Sequence, residues 1–185
     1  MKKTVLTFGL LSGAVVALLM TVVVLSVDRI GFDKGVIVGY TTIVVSLLFV
    51  PFGIRSYREN VGAGNITFGR AFAVGILITL ISCVCYVVVW EIVYYNFLPD
   101  FADKYAAYVV EKARASGASQ QVIDANLQEM KNMKALLDNP LTNAAATFTE
   151  PFPVGLIITL ISSALLRKKK KAEDGDAKLS GPVTA

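Results

Sequence analysis

Residues Ala71–Trp90 read AFAVGILITLISCVCYVVVW, twenty positions without a charged side chain. A helix rises about 1.5 Å per residue, so such a run covers the roughly 30 Å hydrocarbon core of a bilayer. The run therefore predicts a transmembrane helix, and lipid becomes the solvent for its surroundings. Three further runs behave alike. Thr4–Val27 is uncharged over 24 residues, Gly35–Ile54 over 20 and Pro151–Leu166 over 16. The last is long enough to span if its helix begins near Ala146. The expected fold is all-α: an integral membrane four-helix bundle with spans near 4–27, 35–54, 70–96 and 146–166. A two-helix extracytoplasmic segment, residues 97–145, separates spans three and four, so residues 1–171 form a single transmembrane domain. Residues 172–185 read as a disordered cytoplasmic tail.

Composition narrows the function classes. At 185 residues, 55% apolar and 17% charged, the chain has no room for a separate soluble enzyme. The formal charge of +4 is not a nucleic-acid signal, because five positive charges sit together in Arg167–Lys171 and the remainder is −1. That block is a juxtamembrane cluster suited to anionic lipid headgroups. Histidine is absent, which removes the commonest metal ligand and neutral-pH proton shuttle. Cys83 and Cys85, two apart on one expected helix, point to different faces and are not expected to bridge or to bind metal. No cofactor is expected. Lys2 and Lys3 followed by an apolar run resemble a signal peptide. The run exceeds an h-region of roughly 7–15 residues and lacks a small-residue cleavage site before Asp28, so a signal anchor is expected.

Charge also predicts orientation. The two termini and the second loop carry 11 Lys and Arg, whereas the first and third loops carry 7. Positive flanks stay in the cytoplasm, which places both termini and the second loop there. Tyr86, Trp90, Tyr94 and Tyr95 collect at the outer end of the third span, at headgroup depth.

Outside the membrane, Phe101, Tyr105, Tyr108 and Val109 recur at helical spacing, and Gly117 can stop that helix. Ser119 can cap a second helix with the stripe Ile123, Leu127, Met130, Met133 and Leu137, closed by Pro140. Two short amphipathic helices are expected, packing on each other and on the membrane surface, with a partner-binding hairpin as the sharper reading.

Four motifs remain. Gly64-Asn65-Ile66-Thr67-Phe68-Gly69-Arg70-Ala71 has P-loop glycine spacing, but Arg70 and Ala71 stand where Lys and Ser/Thr are needed. Thr67 is better placed to cap the third span. Gly9-x-x-x-Gly13 and Gly35-x-x-x-Gly39 are small-residue stripes suited to close helix packing or to dimerisation. Phe72–Ser82 aligns without gaps to Phe152–Ser162 with eight of eleven positions identical, and the two copies cross the bilayer in opposite directions. Such a match is either an inverted repeat of the transporter kind or a packing face of Gly, Thr and Ser on each helix. Glu91 and Glu150 are the only acids touching the spans, both near the outer boundary. Pro151 and Pro153 each free a carbonyl one turn earlier, so Glu150 reads either as an acid snorkelling at the interface, the favoured reading, or as part of a cation or proton site.

The strings Gly53-Ile54-Arg55-Ser56-Tyr57-Arg58, Ile66-Thr67-Phe68-Gly69-Arg70-Ala71-Phe72, Trp90-Glu91 and Glu150-Pro151-Phe152-Pro153-Val154-Gly155 resemble a bacterial membrane-protein family, domain of unknown function 4199. The resemblance runs from about Lys2 to Lys171 and implies the cytoplasmic membrane of a Gram-negative bacterium. It carries no catalytic residues, because the family has no established activity. The expected role is a structural, interaction or accessory membrane component, in company with lipid and with a second copy or an unidentified membrane partner. The alternative is a small oligomeric transporter or channel using a Glu91/Glu150 outer polar site; the candidate functional residues are Glu91, Glu150, Arg70, Pro151 and Pro153.

Overall fold

The computed structural model describes residues 1–168. The tail 172–185, and Lys169–Lys171 of the basic block, lie outside the described residues. Nine helices form among these: α1 (Lys2–Leu25), α2 (Val27–Ile30), α3 (Phe32–Leu47), α4 (Phe49–Asn60), α5 (Phe68–Phe97), α6 (Phe101–Ala115), α7 (Gln120–Asp138), α8 (Pro140–Phe148) and α9 (Pro151–Leu166). Four units are long and apolar enough to cross a membrane: α1, α3 with α4, α5, and α8 with α9. The fold is an all-α bundle of four such units, as the uncharged runs require.

Two of these units are broken where proline dictates. The second expected span, 35–54, extends over Phe32–Asn60 and is interrupted at Leu48. Pro51 has no N–H to give to the Leu47 carbonyl, and its ring crowds that carbonyl. The Leu48 amide instead reaches Val45 O at 3.3 Å, a tighter turn. The fourth unit begins earlier than Ala146. Pro140, expected to close α7, also opens α8 at its first helical position, where a missing N–H does no harm. Pro151 opens α9 likewise after a turn at Thr149 and Glu150. Thr67 caps α5 as expected, its Oγ1 accepting from the Arg70 amide at 3.4 Å.

The near-repeat explains how the bundle closes. α5 and α9 run antiparallel and meet along the repeated residues. A methyl added at Gly75 would stand 2.8 Å from Thr159 Cγ2, and one at Gly155 would strike Thr79 Cγ2. Thr79 and Thr159 are fully buried, and their hydroxyls share a hydrogen bond of 3.1 Å. The equivalent residues of the two copies thus face each other reciprocally, a local two-fold seam. Small residues permit this approach, and the hydroxyl pair satisfies groups that lipid could not.

α1 packs against α5 through the first small-residue stripe. Methyls at Gly9 and Gly13 would lie 2.9 Å from Ile81 and 2.6 Å from Cys85. Ser12, fully buried between them, donates to Ser46 O at 2.8 Å and shares a hydroxyl–hydroxyl hydrogen bond of 2.9 Å with Ser82 Oγ, tying α1 to α3 and α5. Gly53 of α4 is equally crowded, by Ile78 and Phe8. The second stripe does not behave this way. Gly39 has nothing within 4 Å of an added methyl, and Gly35 meets only Val27 at 3.4 Å. The first half of α3 leans away from the bundle and leaves Val36, Ile37, Val38 and Tyr40 exposed.

The two ends of the bundle are distinct. At one end Ile66 and Lys168 form an antiparallel bridge, each amide donating to the other carbonyl at 2.9 Å. The second loop and the start of the tail therefore share that end. At the other, Lys104 reaches Asp28 at 3.3 Å and Lys112 pairs with Asp33, which joins α6 to the first loop. Gly117, in the left-handed region at φ +73°, turns the chain from α6 into α7. α6 uses two faces rather than one stripe. Val110 and Ala113 pack on Ile123 of α7, while Phe101, Tyr105 and Tyr108 surround Phe32 with ring centroids 5.1–5.9 Å away. Lys134 pairs with Asp103 across the hairpin, and that partner raises the lysine pKa above its usual value, as Asp33 does for Lys112.

Gly75→Ala and Gly155→Ala are each expected to lower the thermal unfolding midpoint in detergent, with an overpacking penalty of about 1–3 kcal/mol. Gly39→Ala is expected to leave it unchanged or raise it, since only helix propensity changes there. Unchanged midpoints in both seam variants would contradict the packing described.

Candidate functional site

Near its hairpin end, α5 aligns Tyr86 and Trp90, one helical turn apart on the same face. The prolines place a partner opposite each. Pro151 ends the ladder of α8, so Glu150 stands at the position preceding α9, where the positive end of the helix dipole favours a carboxylate. The Tyr86 hydroxyl donates to Glu150 Oε2 at 2.8 Å. Beyond it, Trp90 Nε1 donates to Asn143 Oδ1 at 2.9 Å. Asn143 is fully buried, and its amide reaches Leu137 O at 3.3 Å while Thr147 Oγ1 donates to its Oδ1 at 3.2 Å. This one amide binds α5, α7 and α8 together.

Tyr86, Trp90 and Glu150 open onto a cavity of about 310 Å³. Aliphatic side chains of α1 and α3 form one wall, including Val24, Val36 and Ile43, with the bare Gly35 and Gly39 between them. Phe101 and Tyr105 of α6 roof it. Glu150 is the single ionisable carboxylate in a lining that is otherwise apolar or phenolic.

The other sequence candidates fall elsewhere. Glu91 lies five residues beyond Tyr86, so about 7.5 Å further along α5 than the residue Glu150 meets. It does not line the cavity, and its Oε1 is buried without a hydrogen-bond partner among the described residues. Arg70 is exposed at the opposite end of the bundle, where its backbone amide meets the Thr67 cap. Pro151 is buried and Pro153 exposed, and both act through the break they impose on the fourth unit. The structure therefore joins Glu150 to Tyr86 rather than to Glu91 or Arg70. Among the described residues, no three Cys, Asp or Glu side chains converge as a metal-ligand set. Asn143 is the residue that sequence patterning missed, and Tyr86 stands out in the sequence only as one of the interfacial aromatics, not as the partner of Glu150. The i,i+4 pair Asn143 and Thr147, in a segment too polar for a plain span, was the available signal.

A family model described as "Protein of unknown function (DUF4199)" matches residues 7–168. The chain belongs to this family. The match covers the four apolar units, the hairpin and the first two residues of the basic block. Searches of curated proteins and of solved structures gave no match. In this DUF4199 protein the repeated segments and the Tyr86–Glu150 pair thus fall within the family match.

Tyr86→Phe and Glu150→Gln should each destabilise the folded protein in detergent, and their effects should be non-additive. Contact pairs of this kind couple by about 0.5–3 kcal/mol in a double-mutant cycle. Strict additivity would show that the hydrogen bond makes no contribution.

Proposed function

We propose that this DUF4199 protein is a non-enzymatic interaction component of a bacterial cytoplasmic membrane, holding a helical hairpin on its outer face for a membrane partner. The observation that carries the reading is the fate of the polar groups within the spans. Thr79 is taken up by Thr159, and Ser12 by Ser82 and Ser46, all inside packed helix surface. A transporter needs such groups to line a water-filled path to the midplane. Here they close helix contacts instead, so the transport alternative loses its support.

The orientation rests on the charge asymmetry between loops, with both termini and the second loop in the cytoplasm. The bridge between Ile66 and Lys168 supports that assignment by placing the second loop beside the start of the basic block. Arg167–Lys171 would then meet anionic headgroups of the inner leaflet. The hairpin is held firmly for a segment outside the spans, by Tyr95 donating to Leu137 O at 2.7 Å and by the Asn143 clamp. It nevertheless leaves Val122 and Leu136 exposed on one face of α7, about four turns apart. Two apolar side chains on one face of a helix outside the spans suit a protein contact.

A photo-crosslinking residue at Leu136 is expected to give one discrete adduct in native membranes, abolished by Val122→Lys on the same face. A ladder identical to that from exposed Lys131, or no adduct, would contradict the reading. An adduct of twice the chain mass would identify the partner as a second copy.

A further inference from the structure

The cavity beside Glu150 combines three properties that no helix-packing role requires. Its walls are aliphatic, its roof is aromatic, and it contains one carboxylate. Among the described residues no lysine or arginine pairs with Glu150, and its hydrogen-bonding partner is the neutral Tyr86 hydroxyl. A carboxylate accepts several hydrogen bonds, and Tyr86 supplies one. A cation bearing N–H groups would complete it, and the aromatic rings of Tyr86, Trp90 and Phe101 that line the same space suit such a cation further. Tyr40 and Tyr105 also line the cavity, and their hydroxyls make no hydrogen bond among the described residues. They are free to donate to an anionic oxygen.

The aliphatic wall has its own peculiarity. Gly35 and Gly39 look like a packing stripe, yet Gly35 meets only Val27 of the short α2, and an added methyl at Gly39 meets open space. The groove they leave on α3 belongs to the same cavity. A groove of this kind within a membrane span fits an extended acyl chain.

We propose that this cavity binds a phosphoethanolamine-headed lipid drawn from the surrounding leaflet. Its ammonium donates to Glu150, its phosphate accepts from Tyr40 and Tyr105, and one acyl chain lies along Gly35 and Gly39 of α3. The volume, about 310 Å³, holds the headgroup and the first part of a chain. The remainder of the lipid stays in the bilayer.

Trp90 is the only tryptophan in the chain and lines the cavity, so its fluorescence reports occupancy directly. The full chain is placed in nanodiscs of phosphatidylcholine containing a minor fraction of brominated phosphatidylethanolamine or brominated phosphatidylglycerol. Trp90 quenching at equal mole fraction is expected to be several-fold greater with the ethanolamine lipid. Glu150→Gln should reduce it to the phosphatidylglycerol level. Gly39→Leu, which fills the groove where the backbone has room, should do the same while keeping the wild-type circular dichroism and melting behaviour. Equal quenching by the two lipids in the wild type would overturn the proposal. So would ethanolamine-selective quenching that survives Gly39→Leu.

Discussion

Everything in this bundle depends on the close approach of α5 and α9. In lipid, apolar surface gains little by turning inward, so helices associate through packing and hydrogen bonds. The reciprocal contacts of Gly75 with Thr159 and Gly155 with Thr79 supply the packing, and the Thr79–Thr159 hydrogen bond supplies the polar link. Val50 and Ile54 of α4 then press on Gly75, Leu47 of α3 lies against Gly155, and α1 closes on the other side of α5 through Gly9 and Gly13. Each further helix contacts a surface that the seam has already fixed.

The same seam accounts for the site. With α9 held against the middle of α5, the chain leading into α9 must approach the hairpin end of α5. Pro151 breaks the helix there and leaves Glu150 before α9, within reach of Tyr86. One turn along α5, Trp90 takes Asn143 from α8. α3, broken at Leu48 by Pro51, follows the bundle only in its second half, and its first half leans outward to form the cavity wall. Sequence, local breaks, packing and cavity are therefore one chain of causes.

Much of the fold was legible in the sequence because lipid imposes a simple rule on uncharged runs. The four spans, the Thr67 cap, the Gly117 turn and the tight stripe at Gly9 and Gly13 each follow from residues a few positions apart. The near-repeat was also visible, but whether it meant transport or packing depended on which faces met. Gly35 and Gly39 mislead for the converse reason: their spacing is right for packing, but only Val27 of the short α2 reaches Gly35 and nothing reaches Gly39. Gly53 gives no local signal, because its crowding comes from Phe8 and Ile78 on other helices. The site was legible only in part. Glu150 stands out as an acid in a span, but its pairing with Tyr86 joins residues 64 positions apart, and Asn143 lies in a segment that reads as a loop.

The most direct measurement of the central claim is cysteine pairing across the seam. Thr79→Cys with Thr159→Cys, in a chain whose Cys83 and Cys85 are replaced by serine, places two thiols where the hydroxyls meet. Oxidation in native membranes should form an intramolecular disulfide, and each single cysteine should resist a membrane-impermeant maleimide. Rapid maleimide labelling of either position without disulfide formation would mean that these residues face water, and the closed seam would be contradicted.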